Sequence, residues 1–408
     1  MGSRLLVLLL LLVLVFAFSN GFDLLFRLAY VMGGVALFSA IWAWTGVQWL
    51  QVSIKRETER TQVGQSFEDT IEIRNTSRLP KPWLELRDNS DIPQRNATSV
   101  IDLPQGKSEL WSIRTTCFQR GRFILGPITL SSTDPFGLFR WERTEGKPHH
   151  ILVYPMSVPL PHFLHYPAHL IGEGPLHRRT HHVTPNASGV RDYAFGDSFN
   201  RIHWRSTAHT GKLMVKEFEL DPSSDVWVVL DMQRAVQAGS GEEATDEYGV
   251  IIASSVAKRF LVDGRAVGFI SWGQRLNLLS AEKGAGQFDK IMESLALIRA
   301  EGTIPVSEII AKEGKRFSRH STLIVITPSV SESWVAELRY LMSRKITVVA
   351  VFVDSSTFDG GIGSLSTLNA LAVGGIPTYA VRRGDAIGRA LSETPFQSAA
   401  PLATEVAV

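Results

Sequence analysis

Two oxygen-bearing side chains, each at the end of a short apolar run, could bind a cation or a polar ligand. Asp231 follows the run Val226–Leu230, and Thr327 ends the run that begins at Leu323. Both runs have the composition of buried strands, and helical spacing lies between them, which is typical of a mostly parallel sheet covered by helices. Ligands of such sheets lie beyond the carboxyl ends of the strands. We therefore expect Asp231 and Thr327 to mark the place of any ligand site.

The histidines suggest a second kind of chemistry, because ten of the eleven lie within residues 149–209. A zinc site needs three or four converging ligands that are held by further hydrogen bonds. His162 and His165 have the spacing of one helical turn, but a proline on each side of the pair interrupts a helix. The chain has no H-E-x-x-H motif and a single cysteine. We predict a polar linker and no metal site, and the alternative is a metal-dependent hydrolase.

The sequence contains no arrangement typical of nucleophilic catalysis or of phosphate binding. It lacks both the G-x-S-x-G elbow and the G-x-x-x-x-G-K-[ST] loop. The single cysteine, Cys117, lies in a strand-like run, where a buried thiol that packs as a small apolar group is expected. We predict no catalytic residues, no cofactor and no small-molecule substrate.

The segment 189–219, called the signature segment below, combines turn glycines, arginines, aspartates and a tryptophan in an unusual order. Its ordered positions include Arg191, Tyr193, Gly196, Asp197, Arg201, Trp204, Gly211, Lys216 and Glu219. The order resembles the signature of the family called domain of unknown function fifty-eight, although His209 stands where the family more often has arginine. Apolar residues of the segment, Trp204 among them, are expected to point inward.

A second stretch between residues 120 and 139 also resembles this family. It carries a motif built on Arg120 and Gly121 and a turn formed by Asp134, Pro135, Phe136 and Gly137. Proline at the second position and glycine at the fourth suit a type I turn, and the aspartate side chain can accept hydrogen bonds from the following amides. Phe136 is either part of a docking patch or packed in the core beneath the turn, and we expect core packing.

The resemblance implies that residues 221–391 form an α/β doubly wound domain like the von Willebrand factor type A domain. Such domains bind a divalent cation through a D-x-S-x-S motif, a threonine and a further aspartate. This chain has Asp231, Gln233 and Ala235 in the first motif, and Pro328 where the later aspartate would stand. With these oxygen ligands missing, we expect a degenerate cation site at Asp231, Gln233 and Thr327 that does not bind Mg²⁺ tightly.

Two apolar runs, residues 5–18 and 28–50, predict a transmembrane helical hairpin over residues 1–50. The alternative for the first run is a cleaved signal peptide, but no small-x-small site follows Phe18. Positive charges precede the first run and follow the second, at Lys55 and its neighbours, and a lone Arg27 lies between the runs. The positive-inside rule therefore predicts a multi-pass protein of the cell membrane with both termini and all soluble domains in the cytoplasm.

Alternating apolar and polar residues between turns predict an all-β sandwich, immunoglobulin-like, over residues 51–155. Residues 156–220 are expected to be a linker with the signature segment, and the composition of residues 392–408 predicts a disordered tail. A formal net charge of +2 over 408 residues gives no reason to expect nucleic-acid binding.

These observations predict a membrane-anchored binding or scaffold protein. The signature segment is expected to connect the β and α/β domains, either as a structural clasp alone or as a clasp that also binds a protein partner. The family resemblance implies a bacterial or archaeal context and a MoxR-type AAA+ ATPase as that partner, for which the chain would act as an adaptor in the assembly of a complex. Besides the hydrolase, a cation-dependent adhesion receptor is an alternative.

Overall fold

The computed structural model describes residues 2–95, 97–164, 187–192, 202–218, 225–319, 321–359 and 363–392. The described residues of Met1–Met156, together with Met292–Ile298, form one compact unit, and those of Ser157–Ile291 and Arg299–Val408 form another. The five-part division expected from the sequence stays a prediction, and almost all of the expected disordered tail lies outside the described residues.

The chain begins with two apolar helices, α1 (Gly2–Asn20) and α2 (Asp23–Val47). The rings of Phe18 and Phe26 pack edge to face across the turn that joins the helices, with their centroids 5.2 Å apart. Among the described residues, α2 is the one helix whose length and mean hydropathy of 1.9 would let it cross a membrane, and Leu5–Ser19 is a shorter apolar stretch. One candidate membrane helix therefore lies near the N-terminus.

Ten strands follow α2, and they form three small sheets. Their bounds are β1 (Leu50–Lys55), β2 (Arg60–Gln62), β3 (Ser66–Asn75), β4 (Lys81–Asp88), β5 (Thr98–Leu103), β6 (Ser108–Thr116), β7 (Gly121–Leu125), β8 (Ile128–Thr133), β9 (Arg140–Glu145) and β10 (His149–Tyr154). Sheet 1 has the order β1-β3-β6, sheet 2 the order β2-β10-β7, and sheet 3 the order β5-β4-β8-β9. All neighbouring strands are antiparallel except β10 and β2. The expected strand-rich region is thus present, and its assignment as a sandwich stays a prediction.

Alternation of burial along the strands produces the cores of this region. In β3 every second side chain is buried, as the period of a strand with one covered face requires. Ile71 and Ile73 of sheet 1 pack in one core with Leu84 and Leu86 of sheet 3, and Val47 at the end of α2 joins that core. Cys117 is buried in a separate core. The expected burial of Cys117 is therefore confirmed, and burial raises the pKa of its thiol.

Four buried charges connect the three sheets. Arg95, in the loop after β4, donates from Nε to Asp88 Oδ2 at 2.6 Å and from Nη2 to Asp69 Oδ2 at 2.5 Å. Its Nη1 donates to Thr115 of β6 at 3.0 Å. Arg56 lies 3.6 Å from Asp69 and 3.5 Å from Asp88, and it donates to the carbonyl oxygen of Leu125 in β7 at 3.1 Å. We call Arg56, Asp69, Asp88 and Arg95 the buried ion cluster.

The second unit contains a two-stranded ladder and a six-stranded sheet. The ladder pairs β11 (Ala187–Asp192) with β12 (Met214–Phe218) in antiparallel fashion, and helix α3 (Trp204–Thr210) lies between them in sequence. The six strands are β13 (Val226–Leu230), β14 (Val267–Trp272), β15 (Leu276–Glu282), β16 (Thr322–Thr327), β17 (Thr347–Val353) and β18 (Thr378–Val381). Their order is β15-β14-β13-β16-β17-β18, and only β15 runs antiparallel to its neighbour. The sheet is therefore mixed.

Six helices accompany the mixed sheet. They are α4 (Thr245–Val262), α5 (Ala285–Leu297), α6 (Val306–Glu313), α7 (Ser333–Ser343), α8 (Leu365–Val373) and α9 (Ile387–Ala390), with the last residues of α5 counted in the first unit. Helices α4 to α8 lie between the strands of the sheet in sequence, and α9 follows β18. Every residue of β13 and β16 is buried, which explains why both read as uninterrupted apolar runs. The sequence analysis did not identify the edge strand β15, whose burial is irregular and gives no clear period.

We expect replacement of Arg95 by methionine to destabilise the strand-rich region by about 3–5 kcal/mol, because Asp69 and Asp88 would keep buried charge with fewer partners. Cys117 is the only cysteine, so its labelling by a thiol reagent along a urea series reports the unfolding of this region. Arg87→Met removes an exposed arginine from β4 and is the matched control. Equal urea midpoints for the two variants would contradict a structural role for the cluster.

Candidate functional site

The carboxyl edge of the mixed sheet brings Asp231 and Thr327 together, as expected from the sequence. Asp231 follows β13 and Thr327 ends the neighbouring strand β16. The Thr327 hydroxyl donates to Asp231 Oδ2 at 2.6 Å, and the backbone N–H of Gln233 donates to Oδ1 at 3.0 Å. Both carboxyl oxygens therefore already accept hydrogen bonds from the protein itself.

Burial governs the titration of Asp231, which is almost fully enclosed. Desolvation raises the pKa of this carboxyl to about 6, against the opposing effect of the hydrogen bonds from Thr327 and Gln233. A divalent cation in contact with the carboxylate would favour the ionised form instead. Nearby, Asp354 follows β17 at the same edge and is also buried, and its Oδ1 accepts hydrogen bonds from the hydroxyl and backbone N–H of Ser356.

The loop after Asp231 is closed by hydrogen bonds that the sequence analysis missed. The Gln237 side chain donates to the Asp231 carbonyl oxygen at 3.0 Å and accepts from the Thr245 hydroxyl at 2.7 Å. A bridge joins Gln233 to Gly302, where a Cβ atom would lie 2.2 Å from the carbonyl oxygen of Trp272. Gln237 and Thr245 thus fix the loop where the D-x-S-x-S motif would present hydroxyls. No group of three His, Cys, Asp or Glu residues that could hold a metal ion occurs within the described parts of the chain.

The signature segment forms the ladder of β11 and β12 with α3 between them. In the ladder, Arg191 pairs with Val215 and Val190 pairs with Lys216. The backbone N–H of His203 donates to the Met214 carbonyl oxygen at 2.8 Å. Helix α3 therefore begins directly beside the ladder. Five signature positions lie outside the described residues, namely Tyr193, Gly196, Asp197, Arg201 and Glu219.

Both ends of α3 are capped by residues of the segment. His203 Nδ1 lies 2.7 Å from the Ser206 hydroxyl and accepts a hydrogen bond from the Ser206 backbone N–H at 3.3 Å. Gly211 ends the helix at φ 70°, a left-handed conformation that glycine adopts without steric cost. Its N–H donates to the Thr207 carbonyl oxygen at 2.9 Å. A turn at Gly211 was predicted from the sequence, whereas the capping role of His203 was not.

Trp204 points to solvent, and the expectation that it is an inward anchor was wrong. Its relative exposure is 67%, whereas Ile202, two residues earlier, is buried at 4%. The physical reason is the position of Trp204 as the first residue of α3, a seven-residue helix with no buried residue. Leu213 is also exposed. An exposed indole beside Arg205 and Lys212, both also exposed, resembles the composition of interface hot spots more than that of a core.

At the turn formed by Asp134, Pro135, Phe136 and Gly137, one prediction is confirmed and one is wrong. Asp134 accepts hydrogen bonds from the backbone N–H groups of Phe136 at 3.0 Å and Phe139 at 2.6 Å, and the Gly137 N–H bonds to the Asp134 carbonyl oxygen at 3.0 Å. The predicted turn is therefore present, with Pro135 exposed at its second position. Phe136 is exposed, so the expected core packing of this ring was wrong: the turn carries the ring away from both cores.

Gly121 begins β7, and Arg120 directly precedes it. Arg120 donates from Nη2 to the Ile298 carbonyl oxygen at 2.9 Å, and Gly121 pairs with Val153 of β10. Five of the ten histidines behind the hydrolase alternative, including His165 and His169, lie outside the described residues.

Comparison with known proteins agrees with the family resemblance. The model of the family described as "Protein of unknown function DUF58" matches residues 189–357. The chain is 24% identical over 362 residues to the uncharacterized protein YeaD of Bacillus subtilis (strain 168). The match covers 85% of this chain and 88% of that protein.

Likeness to solved structures is weak. The CARDB domain of PF1109 from Pyrococcus furiosus matches with a TM-score of 0.20 and 14% identity over 26% of this chain and 94% of that domain. The pilus adhesin SpaC from Lactobacillus rhamnosus GG matches with a TM-score of 0.34 and 13% identity over 42% of this chain and 30% of that chain.

Asp231→Asn should stabilise the protein above pH 6, by up to about 3 kcal/mol, because the variant buries no charge. Since the pKa of Asp231 is raised on folding, the unfolding free energy of the wild type should fall as the pH rises from about 4 to about 6. The difference between the two proteins should therefore disappear near pH 4. Denaturant unfolding of the detergent-solubilised chain across this pH range measures it. Stabilisation of the wild type alone by Mg²⁺ would contradict our expectation of a degenerate cation site.

Proposed function

We propose that this chain is a membrane-anchored, cytosol-facing binding or scaffold protein that presents the signature segment to a protein partner. The observation that carries the proposal is the exposure of Trp204, at 67%, on a helix that is capped at both ends. Burial of an indole contributes more to a protein interface than burial of most side chains. A capped helix also holds the ring in one place before binding, which lowers the entropy cost of association.

The charge around Trp204 indicates what kind of partner surface would fit. The residues 202–214 include Arg205 and Lys212 and contain no aspartate or glutamate. Both basic side chains are exposed, as is His209 on the same helix. A partner that contacts Trp204 would therefore be complementary if it offered carboxylates around an apolar pocket. The partner implied by the family resemblance is a MoxR-type AAA+ ATPase, for which the chain would act as an adaptor in the assembly or maturation of a complex.

The proposed anchor consists of α1 and α2 as a transmembrane hairpin, with the bulk of the chain on the cytoplasmic side. Lys55 and Arg60, which follow α2, are exposed and support this orientation. Arg56 belongs to the buried ion cluster, so in the folded protein its charge is balanced by Asp69 and Asp88.

The proposal includes an assignment of both soluble regions. The strand-rich region would be a β-sandwich, which the shared core of sheets 1 and 3 supports. The mixed sheet would be a type A-like domain whose carboxyl edge is closed, because Asp231 is hydrogen-bonded within the protein and Gln237 fixes the following loop. Among the described residues, no contact specifically favours the hydrolase or the adhesion receptor.

We expect Trp204→Ala to reduce retention of the ATPase about tenfold or more in a pull-down with the detergent-solubilised chain, because truncation of an interface hot spot costs about 2 kcal/mol. Tyr340→Ala is the matched control, since Tyr340 is an aromatic residue of α7 with 60% exposure. Both variants should keep the thermal stability of the wild type, as exposed substitutions usually do. Unchanged retention by a folded Trp204→Ala protein would refute this role of the segment.

The orientation has a separate test. A reporter that fluoresces only in the cytoplasm should be active when fused after Val408, and a reporter that is active only outside the cytoplasm should be silent at the same position. Replacement of Arg27, the lone basic residue between the two apolar runs, by glutamine should leave this result unchanged. Activity of the external reporter at Val408 would overturn the cytosol-facing orientation.

A further inference from the structure

Lys81, the first residue of β4, is buried without an acidic partner. Its relative exposure is 2%. Within the described part of the chain, its ammonium donates to one acceptor, the Thr45 carbonyl oxygen of α2, and forms no ion pair with a carboxylate. The Trp49 ring lies 5.5 Å from Nζ, as measured to the ring centroid. Burial lowers the pKa of Lys81 from its usual range.

The contacts that Lys81 makes offset only part of the cost of this burial. Burying an ammonium costs several kcal/mol unless an opposite charge and hydrogen bonds compensate it. The Thr45 carbonyl lies in the last turn of α2, where the helix dipole favours a positive charge. The Trp49 ring adds a cation–π contact. An ammonium has three N–H donors, so two remain for an anion from outside the chain.

A pocket of about 120 Å³ opens beside Lys81. Its walls come from α2, from the loop between β3 and β4, from the start of β4 and from β8. They consist of Trp42, Thr45, Gly46, Leu79, Pro80, Lys81, Pro82 and Ser132. Gly46 makes the close approach of α2 to β8 possible, because a Cβ atom at this position would lie 2.0 Å from Ser132 Oγ. The pocket is therefore held by direct packing of α2 on sheet 3.

Two exposed tryptophans stand beside this pocket in strained backbone conformations. Trp49 is 52% exposed and Trp83 is 58% exposed. Their φ angles are 56° and 53°, in the left-handed region that large side chains rarely adopt. Trp83 lies where the pairing register of β4 with β5 shifts, and its N–H donates to the Asp102 carboxylate at 2.8 Å. Strain of this kind persists where the surrounding contacts fix it.

We propose that this pocket binds the headgroup of an anionic phospholipid, whose phosphate oxygens accept hydrogen bonds from Lys81 while Trp49 and Trp83 lie in the interfacial layer of the bilayer. The inference rests on the proposed membrane anchoring, because the C-terminal end of α2 then lies at the membrane surface. Continuity with α2 favours a lipid over a soluble anion: Trp42, Thr45 and Gly46 of the pocket belong to the last turns of that helix. Tryptophan is also the residue most typical of membrane interfaces.

Native mass spectrometry of the full chain, released from a non-ionic detergent, tests the proposal through its binding of phosphatidylglycerol. Lys81→Met keeps the length of the side chain and removes the ammonium, and it should weaken this binding about tenfold, as expected for the loss of a charge-assisted hydrogen bond. Lys55→Met is the control, because Lys55 is an exposed lysine of β1. Phosphatidylcholine and inorganic phosphate serve as the other two probes.

Tighter binding of phosphatidylglycerol than of phosphatidylcholine, lost in Lys81→Met and kept in Lys55→Met, would support the site. Equal binding by the two variants would overturn it, and so would displacement of the lipid by millimolar inorganic phosphate, which would indicate a site for soluble anions. Labelling of Cys117 at low urea would reveal an unfolded Lys81→Met protein, and Lys81→Gln then replaces it. Alkaline carbonate extraction tests the anchor separately: release from the membrane refutes the proposed anchoring, whereas retention without selective lipid binding refutes only the lipid site.

Discussion

The cost of burying charge is the constraint on which the described sites depend. In the buried ion cluster two arginines and two aspartates compensate one another, and their hydrogen bonds reach all three sheets of the strand-rich region. Asp231 is buried with hydrogen-bond donors, and desolvation raises the pKa of its carboxyl to about 6. Lys81 is buried with a carbonyl acceptor and no carboxylate partner among the described residues. The three sites therefore differ in how far the neighbouring groups of the protein compensate the buried charge.

The edge of the mixed sheet and the signature segment differ in their capacity to bind another molecule. At the sheet edge the protein fills its own site, because Thr327 and the Gln233 N–H occupy the carboxyl oxygens of Asp231. In the signature segment, hydrogen bonds of His203 and Gly211 cap α3, and Trp204 remains exposed. A short helix that is capped at both ends and carries an exposed indole is suited to binding another surface. This contrast supports a scaffold role more than any resemblance in fold does.

Much of the architecture could be predicted because short stretches of residues determine the local conformation of the chain. The apolar runs of β13 and β16 are typical of buried parallel strands, and both were predicted to within a residue. The turn at Asp134 was equally predictable, because proline and glycine fix backbone angles irrespective of distant contacts. The edge strand β15 was missed, since one covered edge and irregular burial leave no period in the sequence.

From the sequence alone, the apolar helices, the alternation of strands and helices in the second unit, and the absence of the D-x-S-x-S hydroxyls beside Asp231 were predictable, because these follow from residue types along short stretches. Which charges meet depends instead on the folded chain. Arg56 and Arg95 are far in sequence from some of their partners, and nothing in the spacing of Asp69 or Asp88 indicates the pairing. The same holds for Trp204 and Phe136, whose aromatic character predicts burial. Their exposure follows from the position of each ring on a short helix or a turn, beyond the reach of the cores.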